Sequence, residues 1–310
     1  MASTGLPFEG FGLTWRSLQH RLAPGRESSC LHASHLWQRL TGTPSTVLLS
    51  GSKYCLDACL EPALEDALLQ ARSSVNHRSV PHRVPLGLLL LSRQHVTVEQ
   101  LTSALDSQRA AGYGRIGEWL LTFGYVSKEQ IIAALARQWS CPVLRDNSWT
   151  PRPERIPPLP PTLLERSLMV PVGYAPASAA LHLAFGDSID HNLLYAIERM
   201  TGCHTEPCFA LPESIQFRLR ILIEQQTKNE VVFECETQVP ESARIVRSYC
   251  ARVSACEVRI AAAGLYTWVR LFRRRGPCLD LLFRCSSSSD TPQPPIPKVP
   301  SAFADENFGG

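Results

Sequence analysis

The sequence predicts an α+β chain in which tandem helical hairpins are followed by a small α/β sandwich-like domain and a C-terminal small α+β domain. Three observations lead to this fold class. A helical pattern occurs twice between residues 85 and 138, with its positions offset by thirty residues. Six prolines in Pro151–Pro161 predict an extended connector, because proline lacks an amide donor and disfavours a helix before it. Residues 257–283 alternate as strands do.

Changes in composition and pattern divide the chain into six segments. In order, we expect a flexible arm (1–28), a small cysteine-containing and possible zinc-knuckle-like segment (29–75), the tandem hairpins (76–140), a second α/β part (141–226), a small α+β domain (227–285) and a disordered tail (286–310). Within the cysteine-containing segment, the apolar spacing predicts a helix over Leu60–Ala71.

Composition limits the possible classes of protein. The 310 residues are 44% apolar and 19% charged, which excludes a wholly disordered chain. A net charge of +3 does not by itself indicate a nucleic-acid partner. The longest apolar run, Leu86–Leu91, is too short to cross a bilayer, so no transmembrane segment is expected. The first residues lack a secretory pattern, and we therefore expect a cytoplasmic protein.

Each copy of the duplicated pattern is predicted to be a short helix, a turn and a second helix. Thr97 and Ser127 each precede a Glu-Gln pair, the arrangement of a helix-starting capping box. The first copy consists of Pro85, Leu86, Gly87, Leu90, Leu91, Leu101, Leu105 and Gln108; the second consists of Arg115, Ile116, Gly117, Leu120, Leu121, Gly124, Ile131, Leu135 and Gln138. The leucine positions alone are also typical of a plain helical repeat that fills a core.

The Arg-Leu-Gly start, the later glycine and the terminal glutamine resemble the MshE-type N-terminal domain of type II secretion and type IV pilus assembly ATPases. That family carries two such motifs in tandem, and many members bind cyclic di-GMP through them. The resemblance implies that Arg and Gln contact guanine and phosphate, while the Leu-rich faces surround the ligand. The implied ligand-binding residues are Leu86, Gly87, Leu101, Leu105, Gln108, Arg115, Ile116, Gly117, Gly124, Ile131, Leu135 and Gln138.

The two copies match the family motif unequally. The second copy departs only by Ile116 in place of leucine. In the first copy, Pro85 stands where arginine is expected and Gln94 where glycine is expected. Arg83 and Arg109 are the nearby residues that could replace the missing guanidinium.

The resemblance extends beyond the hairpins. Residues 141–223 look like the second part of the same N-terminal region, with an Ala-Phe-x-Asp turn at 184–187 and a Thr-Gly helix stop at 201–202. The last domain is similar to the small sheet domain that precedes the motor in secretion ATPases; any other small α+β domain is the alternative. The basic turn Arg273–Arg275 is typical of a solvated turn, or else contacts an acidic partner.

The sequence contains no recognisable ATP-hydrolysing motor. No Gly-Lys-Ser or Gly-Lys-Thr occurs in the sequence, so no phosphate-binding P-loop can be assigned. Without the loop amides, the lysine and the Mg²⁺-binding hydroxyl, ATP hydrolysis lacks its machinery. We therefore expect no ATP as cofactor and no enzymatic activity.

One group of cysteines has spacing that suggests a metal site. Cys55 and Cys59 precede an apolar helix, in a form that resembles small treble-clef-like zinc domains. Cys30 with His32 or His35 could complete the tetrahedral set that zinc prefers, and we select Cys30, His32, Cys55 and Cys59. The alternative is two buried cysteines one helical turn apart.

Two functions remain open at this point. The first is a non-catalytic ligand-sensing adaptor that binds cyclic di-GMP and acts on secretion or pilus assembly proteins. The second is a protein-interaction scaffold that has lost nucleotide binding. The loss of arginine at Pro85 favours the scaffold.

Overall fold

The structure is a computed structural model that describes residues 46–56, 59–74, 83–144, 156–226, 229–235 and 237–285. Its helices are α1 (Leu60–Ser74), α2 (Leu86–Ser92), α3 (Val98–Ala111), α4 (Ile116–Thr122), α5 (Lys128–Trp139), α6 (Pro161–Arg166), α7 (His191–Thr201), α8 (Pro212–Gln225) and α9 (Val239–Val253). Its strands are β1 (Thr46–Leu49), β2 (Ser52–Cys55), β3 (Met169–Ala175), β4 (Ala180–Phe185), β5 (His204–Phe209), β6 (Glu230–Phe233), β7 (Ala255–Ala263), β8 (Tyr266–Arg273) and β9 (Leu279–Arg284). The α+β fold class is confirmed. Cys30, His32, the arm and the tail lie outside the described residues.

The tandem repeat forms two helix–turn–helix units that share one core. Thr97 and Ser127 accept hydrogen bonds from the amides of Gln100 and Gln130, whose side chains bond back to the N-cap amides, so both capping boxes are present. Helix α2 packs on α5 and α3 packs on α4, so each copy completes the other. The shared core consists of Leu90, Val96, Leu101, Ala104, Trp119, Leu120, Val126, Ile131 and Ala134.

A three-stranded sheet follows the hairpins, with strand order β3-β4-β5. Strands β3 and β4 pair antiparallel, whereas β4 and β5 pair in parallel through the crossover helix α7. The segment that follows α5 attaches to this sheet, because Val143 forms a parallel bridge with Phe209. This attachment fixes the second hairpin beside the sheet.

A six-stranded sheet has the order β2-β1-β7-β8-β9-β6. Strand β1 pairs in parallel with β7, and α1 packs on α9, so the segments 29–75 and 227–285, treated separately above, contribute to one sheet. Leu60, Leu64 and Leu68 form the fully buried stripe of α1. The opposite sheet face, with Trp268 and Leu282, joins the core of the three-stranded sheet. Both faces are thus covered, which explains the nearly continuous burial of β8.

Within the described ranges, no helix combines the length and apolar character needed to cross a bilayer.

Candidate functional site

A cleft of about 790 Å³ separates the second hairpin from the three-stranded sheet. Its hairpin side comes from α4, α5 and the start of α2, and its other side comes from the loops after α6 and β4 and from the start of α8. The lining residues are Arg83, Leu86, Arg115, Ile116, Gly117, Glu118, Leu121, Lys128, Ile131, Ile132, Leu135, Gln138, Trp139, Leu168, Gly186, Asp187, Ser188 and Pro212. The cleft therefore has an apolar interior with charged groups among its walls.

The twelve implied ligand-binding residues fall into two groups at this cleft. Those that line it are Leu86, Arg115, Ile116, Gly117, Ile131, Leu135 and Gln138. Those that do not are Gly87, Leu101, Leu105, Gln108 and Gly124. All but one of the lining motif residues belong to the second copy, the one that matches the family motif more closely.

Arg115 occupies the N-cap of α4 and extends into the cleft. Its backbone amide donates to Glu118 Oε2 at 2.9 Å, which fixes the helix start. Its guanidinium pairs with the carboxylate of Asp187, on the loop after β4. Both side chains are at least half exposed, so water screens the pair and its contribution to folding is at most about 1 kcal/mol. Arg115 can therefore exchange this partner for an anionic ligand at small cost.

The repeated glutamines have equivalent structural roles. Gln138 donates from Nε2 to the carbonyl oxygen of Val84 at 2.7 Å, and Gln108 donates to that of Gly114 at 2.7 Å. Val84 and Gly114 each lie two residues before the first helix of a copy. Each glutamine thus fastens a hairpin entry, a role that requires no ligand.

The helical glycines allow close packing in both copies. A Cβ added at Gly87 would lie 2.8 Å from Leu101 Cδ1, and one added at Gly117 would lie 3.2 Å from Leu86 Cδ2. Gly87 therefore lets α2 approach α3 within the first copy, whereas Gly117 lets α4 of the second copy approach α2 of the first. The motif pattern detected these positions, and the structure gives their packing role.

Gly124, in the turn of the second copy, is explained by its backbone conformation and not by close packing. Gly124 has φ +70° and Gln94, at the equivalent position, has φ +57°. Both residues are exposed, and a Cβ at Gly124 would meet nothing within 4 Å. Gln94 thus keeps the left-handed turn of the motif without the glycine that adopts it easily.

Exchanging these two residue types should change stability in opposite directions. We expect Gln94→Gly to raise the free energy of unfolding by about 0.5–1 kcal/mol and Gly124→Gln to lower it by about 1 kcal/mol, because a left-handed φ is costly for a residue with a Cβ. Urea unfolding of the full chain measures both. Shifts of the same sign would contradict this explanation of the turn.

The side chains of Arg83, Trp139 and His191 contact one another at one end of the cleft. The Arg83 Cζ lies 3.0 Å from the centroid of the Trp139 ring, and Trp139 lies 4.8 Å from the ring of His191. Burial, reinforced by the Arg83 charge, lowers the pKa of His191 below its ordinary value, which favours the neutral imidazole at pH 7. Arg83 is thus the nearby arginine that reaches the cleft, whereas Arg109 pairs with Asp106.

Several lining residues were not predicted as site residues from the sequence, and Lys128 and Trp139 are the two with the clearest chemical role. Lys128 starts α5 and pairs with Glu213 of α8 across the cleft. Trp139 directly follows the motif glutamine, and its aromatic type at that position was the available signal. With Arg83 and Arg115, these side chains combine positive charge with an aromatic surface, which suits a planar anionic ligand.

The predicted zinc set is only partly within the described residues. Cys55 lies buried on β2, and Cys59 immediately precedes α1. No group of three or more His, Cys, Asp or Glu side chains suited to a metal occurs in the ranges that the structure covers.

Comparisons with known proteins agree with the motif. The chain is 27% identical over 134 residues to the type IV pilus assembly ATPase PilB of Myxococcus xanthus (strain DK1622), covering 42% of this chain and 23% of that protein. A structure of MshE with cdg is 28% identical, covering 45% of this chain and 99% of that chain with a TM-score of 0.39. The N-terminal domain of XpsE is 21% identical, covering 44% of this chain and 91% of that chain with a TM-score of 0.36. No protein-family model matches.

The chain spans about a quarter of the length of the pilus ATPase that it matches. Part of the chain is similar to the N-terminal region of type II secretion and type IV pilus assembly ATPases, as the tandem motifs predict.

Proposed function

We propose that this chain is a cytoplasmic, non-catalytic ligand-sensing adaptor of a secretion or pilus assembly system, and that cyclic di-GMP binds in the cleft between the second hairpin and the three-stranded sheet. The observation that carries the proposal is the convergence of Arg115, Gln138 and the apolar face of α5 on one cleft. No hydrolytic step belongs to the proposal, because the sequence contains no P-loop.

The chemistry of the cleft suits the two kinds of group in this ligand. Arg115 presents a planar fork of donors that fits a phosphate or the O6 and N7 acceptors of guanine. Asp187 accepts from the N–H groups at the opposite edge of guanine. Trp139 adds aromatic surface to the lining, and the cleft volume of about 790 Å³ lies within the range of small-molecule sites.

Ligand binding would act by shifting a population of conformations. The Arg115–Asp187 pair connects the second hairpin to the loop after β4, and the Lys128–Glu213 pair connects it to α8. A ligand phosphate that binds Arg115 would break the Arg115–Asp187 pair, and the ligand would then contact both sides of the cleft. The orientation of the hairpins that this favours is the signal that a partner protein would sense.

A protein-interaction scaffold is the second candidate, and one observation favours it. Gln108 and Gln138 both bind backbone carbonyl oxygens, and Leu101 and Ala104 of the first copy fill the hairpin core. These residues therefore have structural roles that a scaffold would preserve without ligand.

Isothermal titration calorimetry of the full chain with cyclic di-GMP tests the proposal. We expect saturable binding that Arg115→Ala weakens about tenfold or more, because a charge-assisted hydrogen bond is lost. Arg137→Ala is the matched control: Arg137 is exposed on α5 outside the cleft, and its loss should leave affinity unchanged. An absence of heat at about 50 μM protein and excess ligand would contradict the proposal and leave the scaffold.

A further inference from the structure

Strand β7 leaves part of one edge open. Strand β1 pairs with β7 at Glu257 and Val258, but β1 ends at Leu49 and the chain then turns into β2. Residues 259–263 pair with β8 on their other side, and no strand of the described ranges pairs with them on the side of β1. At about 3.3 Å per residue, the open edge is about 16 Å long.

The turn between β7 and β8 decides which backbone groups this edge presents. Ala263 and Tyr266 pair across a two-residue turn and therefore exchange hydrogen bonds with each other. Because bonded and outward-facing residues alternate along an antiparallel strand, Ile260 and Ala262 direct their N–H and C=O groups away from β8. Apart from strand pairing, no backbone hydrogen bond reaches Ile260 or Ala262 within the part of the chain that the structure describes. These are the groups that an added strand uses.

Helices α1 and α7 flank the open edge on opposite faces of the sheet. Ile260 belongs to the core that contains the leucine stripe of α1, whereas Ala261 belongs to the core that contains the apolar face of α7. Between the two helices lies a groove of about 230 Å³, which Ile260, Ala261 and Ala262 line. A single extended chain fits between two such walls. The same edge of a second copy does not, because its own two helices would collide with these.

The two walls of the groove differ in chemistry. On α1, Ala67 and Gln70 line the groove, and the small alanine leaves room for a side chain. On α7, Asn192, Tyr195 and Arg199 line it at helical spacing, so they share the face that borders the groove. Arg199 is the only charged residue among the described lining residues, and its exposed guanidinium has no ion-pair partner there. An acidic side chain can therefore pair with Arg199 without displacing another group.

We propose that this groove binds an extended acidic segment of a partner protein, which adds to β7 as a strand through Ile260 and Ala262. Successive side chains of a strand point to opposite faces, so alternate side chains of the segment lie against α1 and against α7. Apolar residues suit the wall with Ala67, and acidic residues suit the wall with Arg199. The main-chain hydrogen bonds supply affinity, and the alternating side chains supply selectivity.

The fluorescently labelled peptide acetyl-Val-Asp-Val-Asp-Val-amide is the probe for this groove. Fluorescence anisotropy with the full chain should show saturable binding that Arg199→Glu weakens about fivefold or more, because an exposed ion pair is lost. The peptide with lysine in place of both aspartates should bind the Arg199→Glu variant better than it binds the unaltered chain. Arg220→Glu is the matched control, since Arg220 is exposed on α8 and does not line the groove. Unchanged thermal unfolding of each variant establishes that its fold is intact.

Backbone methylation of the probe tests strand pairing itself. The N–H groups of adjacent residues in a strand point to opposite edges. Methylation at the central valine nitrogen and methylation at the second aspartate nitrogen therefore block different edges of the peptide. One of these two peptides should lose binding and the other should keep it, whereas equal affinities would contradict strand addition.

Two substitutions on α1 test the location of the probe. Gln70→Trp places bulk in the groove and should block binding. Leu69→Trp is its matched control, because Leu69 is exposed on the same helix and does not line the groove. Arg115→Ala, in the hairpin cleft, should leave the peptide affinity unchanged, so these measurements do not depend on cyclic di-GMP binding.

Hydrogen exchange identifies the occupant of the edge. In the chain alone, the amides of Ile260 and Ala262 should exchange faster than that of Ala261, which bonds to β8, and the probe should slow them. Protection already present in the chain alone overturns the proposal: a second copy fills the edge if protection rises with chain concentration, and another segment of this chain fills it otherwise. The proposal also fails if no saturable binding occurs, or if Arg199→Glu and Gln70→Trp leave the affinity unchanged.

Discussion

Replacing Asp280 by alanine is expected to lower the free energy of unfolding by about 3–5 kcal/mol, because it leaves Arg270 as an uncompensated buried charge. The Arg270 side chain is 3% exposed and that of Asp280 is 6% exposed. Burial alone lowers the pKa of Arg270, but the neighbouring Asp280 outweighs burial and the pKa is raised. The Arg270 guanidinium is therefore charged in the unaltered chain, and Asp280→Ala removes its counterion. Trp268 loses its acceptor in the same variant.

Urea unfolding of the full chain measures this cost, with Asp106→Ala as the matched control. Asp106 pairs with Arg109 on α3, but their side chains are 63% and 74% exposed. An exposed pair contributes at most about 1 kcal/mol, so the control should unfold almost as the unaltered chain does. Equal effects of the two substitutions would refute the buried-pair explanation.

Replacing Phe209 by alanine is expected to cost about 3–5 kcal/mol, as removal of a buried aromatic side chain does. Phe209 is fully buried in the core of the three-stranded sheet. Its backbone joins the sheet to the hairpins, since its amide donates to Pro142 and its carbonyl accepts from Leu144. The cavity left by the substitution would thus lie at the junction that positions the cleft.

Phe217→Ala is the control for this loss. Phe217, on α8, is 62% exposed, so its truncation should change the free energy of unfolding by no more than about 0.5 kcal/mol. Urea unfolding of both variants gives the comparison. If Phe209→Ala also shifted stability by under about 1 kcal/mol, the junction would be far more adaptable than its burial indicates.

The local elements of this fold were predictable because their signals are local. The thirty-residue offset, the caps at Thr97 and Ser127 and the apolar stripe of α1 each involve neighbouring positions, and the predicted elements are present. The pairing of β1 with β7 was not predictable. Strand β1 has four residues and β7 has nine, and nothing in a single sequence selects β7 as the partner of β1 among the several strands.

In the candidate site, too, the sequence predicted the local features but not the contacts between distant segments. The motif led to Arg115 and the face of α5, because these positions repeat. It gave no reason to place Asp187 opposite Arg115, since the two are 72 positions apart in the sequence and meet through the attachment at Phe209. It also grouped Leu101 and Leu105 with the ligand face, although both copies use the same spacing for core packing and the cleft borders the second copy.

The parallel pairing of Leu48 with Glu257 has a consequence for the order of events during synthesis. The ribosome delivers β1 and α1 long before their sheet partners exist. The hairpins and the three-stranded sheet, whose contacts are more local, can form while that early segment waits with an unpaired strand edge and an exposed leucine stripe. Closing such a long intervening chain adds only a slowly growing entropic cost. The β1–α1 segment is therefore exposed for a limited time during synthesis, and this time ends when β7 has been synthesised.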